Sequence, residues 1–482
     1  MSGVALWTIE AMASAMRARR EGALPDSVQG LSIDSRHIGP GEAFFAIKGD
    51  NRDGHEFVPA ALSAGAVLAV VAADKRDQFP KDAPLLVVPD VLEGLRDLAR
   101  ASRARSKAKV IGITGSVGKT STKEALRLAL SREGETHASV ASYNNHWGVP
   151  LSLARCLETA CFAIFEMGMN HAGEIEPLTR LVRPHVAIVT TVEPVHLEYF
   201  PSIEGIADAK SEIFFGLEPG GAAILNHDNP HYARLSRNAK AAGVARIVSF
   251  GTHPKADAHL LKHSLHPDCS TVHASILGTE VTYKIGAPGY HFVINSLSVL
   301  AAVALVGADL ALAALALTEL KPAAGRGTRV ILGLPGGATA LLIDESYNAN
   351  PASMRAALAL LGKATLGARG RRIAVLGDML ELGAKGPGLH RDLADAVLAD
   401  GIDLVFCSGP LMHELWEALP SERRGGYAEM AAALESSVVA AVRPGDAIMI
   451  KGSLGSRMSP LVKALERRYP SHMAREQAPA QG

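Results

Sequence analysis

The chain has 482 residues, 48% hydrophobic and 20% charged, and its 49 Lys plus Arg equal its 49 Asp plus Glu. That balance excludes a disordered chain, and the lack of a basic surplus argues against general binding to nucleic acid or anionic lipid. The length exceeds one ordinary core and predicts about three domains. Cys156, Cys161, Cys269 and Cys407 form no CxxC pair or His/Cys ladder, and read as reduced core thiols of a cytoplasmic protein.

Met1 to Met16 carries Glu10 and no basic n-region, so no signal peptide is expected there. Up to residue 106 the elements are short and mixed. LSIDS, AFFAIKG, VLAVVA and PLLVVPD predict strands, and FVPAALSAG predicts a helix. Within SIDSRHIGPGEAFFAIKGDNRDGHEF (32–57), Ser35, Arg36, Lys48, Asp53 and His55 could converge on a ligand; a polar, turn-rich hairpin explains them equally.

From Lys109 apolar strands alternate with longer helical patterns, the mark of a parallel sheet. KVIGIT, CFAIFEMG, HVAIVTTV, GAAILN and ARIVSF are continuous apolar runs, as strands covered on both faces require. GITGSVGKTSTK (112–123) follows the first strand and opens a helix, the setting of a phosphate-binding loop. Lys119 would reach the β- and γ-phosphates and Thr120 would sit on Mg²⁺, although the early glycines, Gly112 and Gly115, depart from the strict GxxxxGK[ST] spacing. Glu166 and His196 fall at carboxyl ends of predicted strands, where open α/β sheets bind ligands; a solvated carboxylate and a structural histidine are the plainer readings. Lys210 lies in the helical IADAKSEIFF (206–215). It is either solvated, or buried and neutralised or modified, for instance by carbamylation.

Leu297 to Leu320 is nearly all Ala, Leu and Val, but Gly307-Ala308-Asp309 interrupts it, so two buried helices are expected rather than a bilayer span. LKPAAGRGT (320–328) marks a domain boundary. Beyond it ALLIDE, RIAVLGD, DLVFCSG and DAIMIKG predict strands, separated by helices near 351–364, 387–400, 428–441 and 456–468. DESYNANPASM (344–354) and GDMLELG (377–383) follow strands at the edge that presents ligands, where ordinary turn chemistry also favours such residues. The end, AREQAPAQG, reads as a frayed tail.

Together these segments resemble the Mur ligase family, ATP-dependent enzymes that build the peptidoglycan stem peptide, from Leu31 to about Met458; YNANPASM (347–354), GDMLELG and EMGMNHAGEI (166–175) carry the resemblance furthest. The resemblance implies an α/β protein of three domains. These are a small mixed α/β N-terminal domain for the UDP substrate (1–106), a central P-loop parallel-sheet ATPase domain (107–325) and a C-terminal Rossmann-like ligase domain (326–482). It implies addition of D-alanyl-D-alanine to UDP-N-acetylmuramoyl-tripeptide through an acyl phosphate, with ATP and Mg²⁺, by a monomer with no membrane span.

The resemblance also distributes roles. Thr114, Gly115, Ser116, Val117, Gly118, Lys119 and Thr120 hold phosphates, His291 and Asn295 lie at the adenine, and Arg326 and Asp344 close over the nucleotide. Thr120, Glu166, His196 and a carbamylated Lys210 serve metal, and Lys119, Lys210, His196 and Glu166 form the catalytic set. Ser35, Arg36, Lys48, Asp53, Gly54 and His55 match the uridine end, Asn144 and Asn145 the UDP-sugar side, and Tyr347, Asn348 and Asn350 a further substrate contact. Ser211 stands where the family pattern has glycine. The competing readings are another Mur-type ligase, a folylpolyglutamate-synthase-like ligase, and a P-loop ATPase or GTPase switch, for which neither a Walker-B acidic pair nor NKxD is present.

Overall fold

Continuous apolar runs dominate the middle of the chain, and they assemble into one large sheet. The computed structural model describes residues 5–49, 51–140 and 143–471; the first four residues of the Met1 to Met16 segment and the AREQAPAQG tail lie outside it. Among the described residues the chain forms three principal sheets.

The central sheet has nine strands. Its first strand in chain order, Lys109–Thr114, is buried beyond its first residue and lies between Phe162–Glu166 and Val186–Val189, parallel to both. From that strand the chain builds outward on both sides, a reversal of strand order that leaves a crevice at the carboxyl ends. Ala222–Asn226 and Arg246–Gly251 continue the parallel array. The far edge is an antiparallel meander, Ala258–Leu265, Ser270–Ile276 and Thr279–Ile285, that sequence reading did not anticipate. Burial alternates along Ser270–Ile276 because one face meets solvent, so no continuous apolar run announces it.

The N-terminal sheet runs Arg19–Glu21, Leu85–Val88, Leu68–Ala72, Glu42–Phe45, Gly30–Ser32, parallel except for its first strand. It does not stand apart from the central domain. One apolar core runs from Leu6 and Met12 through Leu95 and Leu98 to Phe165 and Leu225. Polar ties reinforce it: Trp7 Nε1 donates to the Ala154 carbonyl at 2.8 Å, and Arg155 Nε to that of Leu31 at 2.7 Å.

The C-terminal sheet has separate cores on its two faces. Its order is Thr328–Gly333, Thr339–Glu345, Ala447–Lys451, Arg372–Gly377, Leu404–Ser408, Arg424–Ala428, antiparallel only at the first pair. Thr328–Gly333 begins where the Pro/Gly seam ends, and was not foreseen.

Several helices differ from expectation. The stretch expected as a helix at 206–215 is α-helical over Ile203–Ser211 and tightens to 3₁₀ geometry over Glu212–Gly216. The 387–400 segment divides at Asp392, and 428–441 starts as strand and 3₁₀ turn before Glu435–Ala441. Leu297 to Leu320 is two helices, Tyr290–Leu305 and Leu310–Ala316, broken at Gly307 with φ +80°. Among the described residues no helix is long and apolar enough to cross a membrane. All four cysteines are free, but Cys161 is exposed, which corrects its reading as a core thiol.

Candidate active site

Two glycines shape the loop expected to bind phosphate, between Thr114 and the helix Lys119–Leu130. Gly115 has φ +146°, and a Cβ there would lie 1.9 Å from Thr190 Oγ1. Gly118 caps the helix at φ +85°, and its Cβ would meet Asn295 Nδ2 at 2.7 Å. Only glycine meets both demands. Neighbouring strand ends hold the loop: Thr190 Oγ1 donates to the Val117 carbonyl at 2.6 Å, and the Ser116 N–H to that of Thr191 at 2.9 Å. Thr190 escaped sequence reading because a threonine closing an apolar strand has no distinctive pattern.

The Lys119 ammonium lies against the Gly115 carbonyl at 2.7 Å. Desolvation holds it below the usual lysine range, with Glu166 opposing and the Arg326 charge adding to the shift. Thr120 Oγ1 donates to Glu166 Oε2 at 2.9 Å, and Asn144 Nδ2 donates to Glu166 Oε1 at 2.7 Å. This carboxylate is 1% exposed. Among the described residues no three His, Cys, Asp or Glu side chains converge on one point. A buried carboxylate beside a hydroxyl suits a hard divalent ion whose remaining ligands are phosphates and water.

Lys210 is 2% exposed, and among the described residues it has no hydrogen-bonding or ionic partner; the charge it feels is that of Lys119. Burial, then that repulsion, drives its amine well below the ordinary range. The hydroxyl of Ser211 turns away, donating to the Ala207 carbonyl at 2.8 Å and accepting from Asn238 at 3.0 Å. The serine in the glycine position is thereby accommodated without touching the lysine. His196, at φ +56°, has Nδ1 2.5 Å from Glu381 Oε2 of the C-terminal domain.

The crevice has a second wall. His291 and Asn295 lie four residues apart on Tyr290–Leu305 and share one face. His291 is open to solvent, yet the surrounding walls depress its imidazole by desolvation, with Glu345 opposing and Lys451 adding to the shift. Arg326 stacks over the Tyr347 ring at 4.2 Å, and the Asp344 carboxylate accepts the Ser346 N–H at 3.0 Å. Lys451, 2% exposed, donates to Glu345 at 3.1 Å and to the Asn348 carbonyl at 3.0 Å. Lys451 and Glu345 were not singled out beforehand, although both end strands at this same edge.

The residues expected at the uridine end lie in turns and loops beside the N-terminal sheet. Arg36 makes a two-pronged bond to Asp34, at 2.8 Å on each arm, beside Ser35 in the turn Ser35–His37. Lys48 is exposed and pairs with Asp53 through the backbone. A Cβ on Gly54 would lie 2.5 Å from the Ile47 carbonyl, and one on the adjoining Gly49 would meet Trp147 at 3.0 Å. Three side chains expected to touch ligands are instead committed to the protein. His55 is 5% exposed, with Nδ1 on Asp53 at 2.5 Å and Nε2 accepting the Ala72 N–H at 2.9 Å. Asn145 Oδ1 accepts the N–H groups of Trp147 and Gly148, and Asn350 caps the helix Pro351–Gly362 in a capping box with Ser353.

Three family profiles match the chain in order: "Mur ligase family, catalytic domain" over residues 27–103, "Mur ligase middle domain" over 113–303 and "Mur ligase, glutamate ligase domain" over 333–454. The chain is 32% identical over 432 residues to the UDP-N-acetylmuramoyl-tripeptide–D-alanyl-D-alanine ligase of Rickettsia prowazekii, a match covering 90% of this chain and 94% of that protein. It is 34% identical over 442 residues to the Bacillus subtilis protein of the same name, covering 91% and 93%. A crystal structure of MurF from Acinetobacter baumannii superposes with a TM-score of 0.81 at 29% identity, covering 96% of this chain and 99% of that one.

Proposed function

The chain belongs to the Mur ligase family, and on that premise we propose that it joins D-alanyl-D-alanine to UDP-N-acetylmuramoyl-tripeptide, with ATP, in peptidoglycan precursor synthesis. It is an ATP-dependent amide ligase. The observation that carries the mechanism is the crevice itself: a glycine loop with Lys119 and a Thr120–Glu166 pair, faced by Arg326 and Asp344.

In the first step a terminal carboxylate oxygen of the tripeptide attacks the γ-phosphorus. The bond from that phosphorus to the bridging oxygen breaks, and ADP leaves. Lys119 exchanges the Gly115 carbonyl for phosphate oxygens, and with Arg326 opposes the charge gathering on the transferred group. In the second step the dipeptide's free amine attacks the acyl carbon, and the tetrahedral intermediate expels phosphate while the amine proton passes to solvent. Enclosure between the central and C-terminal domains keeps water from the acyl phosphate. Thr120 and Glu166 would hold one Mg²⁺, with His196 and a carbamylated Lys210 facing a second. Mg²⁺ supplies charge neutralisation at the phosphates.

Residues 1–106, 107–325 and 326–482 are the UDP-substrate, nucleotide and ligase domains of this reading. Ser35, Arg36 and Lys48 face the uridine end, Asp53, Gly54 and His55 shape its loop, and Asn144 orients Glu166 toward the sugar side. Asn295 and His291 lie at the adenine, and Tyr347 and Asn348 beside the incoming amine. The enzyme works as a monomer in the cytoplasm.

Hydroxylamine tests the first step. With ATP and the UDP-tripeptide but no dipeptide, the acyl phosphate is captured as a hydroxamate of the tripeptide. No hydroxamate, in a preparation that makes amide product, would rule out the acyl phosphate.

A further inference from the structure

The central and C-terminal domains are clasped by two short loops. Their facing residues, His196 and Glu381, both adopt left-handed backbone conformations, with φ +56° and φ +63°. Non-glycine residues avoid this region unless their surroundings hold them there. Here each loop holds the other. His196 Nδ1 lies 2.5 Å from Glu381 Oε2, and the Glu198 N–H donates to the Glu381 carbonyl at 3.2 Å. Leu197, between them in sequence, packs against both the central core and a C-terminal core. A Cβ on Gly383 would lie 3.4 Å from Glu198 Cα, so the two backbones are in contact.

This geometry has a chemical consequence for the imidazole. A ring that donates Nδ1–H to a carboxylate presents a lone pair at Nε2, and its plane is fixed by the bond. Metal-facing histidines are regularly held by an outer carboxylate in this way. Here the carboxylate comes from the C-terminal domain, not from the domain carrying the histidine. We propose that Glu381 is a positioning residue that sets the tautomer and orientation of His196 for a divalent cation, so that docking of the C-terminal domain completes the second cation site. The inference rests on the proposed reading of His196 as metal-facing. Coupling of this kind is reciprocal: cation binding strengthens domain docking by the factor by which docking strengthens cation binding.

The test uses the full chain with a non-hydrolysable ATP analogue and Mn²⁺ as probe, bound ions being counted by electron paramagnetic resonance. Glu381→Ala is expected to weaken the second Mn²⁺ by about 10- to 100-fold and leave the first unchanged. Glu381→Gln, which keeps a neutral acceptor, falls between it and the wild type. Small-angle scattering should show the cation-induced compaction of the wild type diminished in Glu381→Ala. If His196→Ala loses the second ion while Glu381→Ala, folded by its melting temperature, binds both like the wild type, the proposal is overturned and the metal-facing histidine stands. If His196→Ala itself binds like the wild type, the metal reading of His196 fails and the proposal with it.

Discussion

Lys119 and His137 show two different uses of a half-buried base. Lys119 is held among desolvating walls with its ammonium on a carbonyl that phosphate oxygens can replace. Lys119→Met should therefore lower kcat by about 100- to 1,000-fold. Phosphate-release kinetics check this, and an unchanged melting temperature would separate the loss from misfolding. His137 does no chemistry in this account. Its Nε2 faces the Ser152 carbonyl at 2.7 Å, and burial pushes its pKa down to about 4. Because the unfolded imidazole titrates near its ordinary 6.5, the unfolded chain takes up a proton that the native state refuses between those two values. Stability is full above that window and falls as pH drops through it, by on the order of 2 kcal/mol allowing for partial solvent contact. Melting temperatures measured from pH 7 to pH 4 should fall less steeply in His137→Gln than in the wild type.

At the scale of elements, the loop and the caps are the sensitive parts. Gly115→Ala would drive a methyl into Thr190 and should abolish nucleotide binding, read as loss of ATP-dependent fluorescence or calorimetric signal. Asn350→Ala should cost about 1 kcal/mol of stability, the worth of a helix cap, with the KM for the dipeptide unchanged. A raised KM with unaltered stability would return Asn350 to substrate contact. The same elements show what the sequence made legible. The glycine loop was readable because strand, glycines, GKT and helix occur in one order, and Glu166 because it closes an apolar strand. The antiparallel meander was not, since half of each strand faces water and its pattern resembles loop composition. Nor were the partners of the named residues. That Asn144 holds Glu166 and Glu381 holds His196 depends on contacts across 22 and 185 positions, which no local pattern encodes.

The whole molecule divides unequally. The N-terminal and central sheets share one apolar core, whereas the C-terminal sheet has two of its own and meets the rest through the seam, the bond from Arg329 to the Pro267 carbonyl and the His196–Glu381 clasp, among other contacts. Limited proteolysis should cut first within 321–327, leaving the N-terminal and central parts together, and ATP with the UDP-tripeptide should slow that cut. The coupling of ATP cleavage to amide formation defines this enzyme. It is tested most directly by phosphate release from purified protein with ATP and UDP-N-acetylmuramoyl-tripeptide, with and without D-alanyl-D-alanine. Sustained release that requires both, with a product heavier by the dipeptide less one water, is the predicted result. Release indifferent to both substrates would contradict it, and would make the chain a P-loop hydrolase.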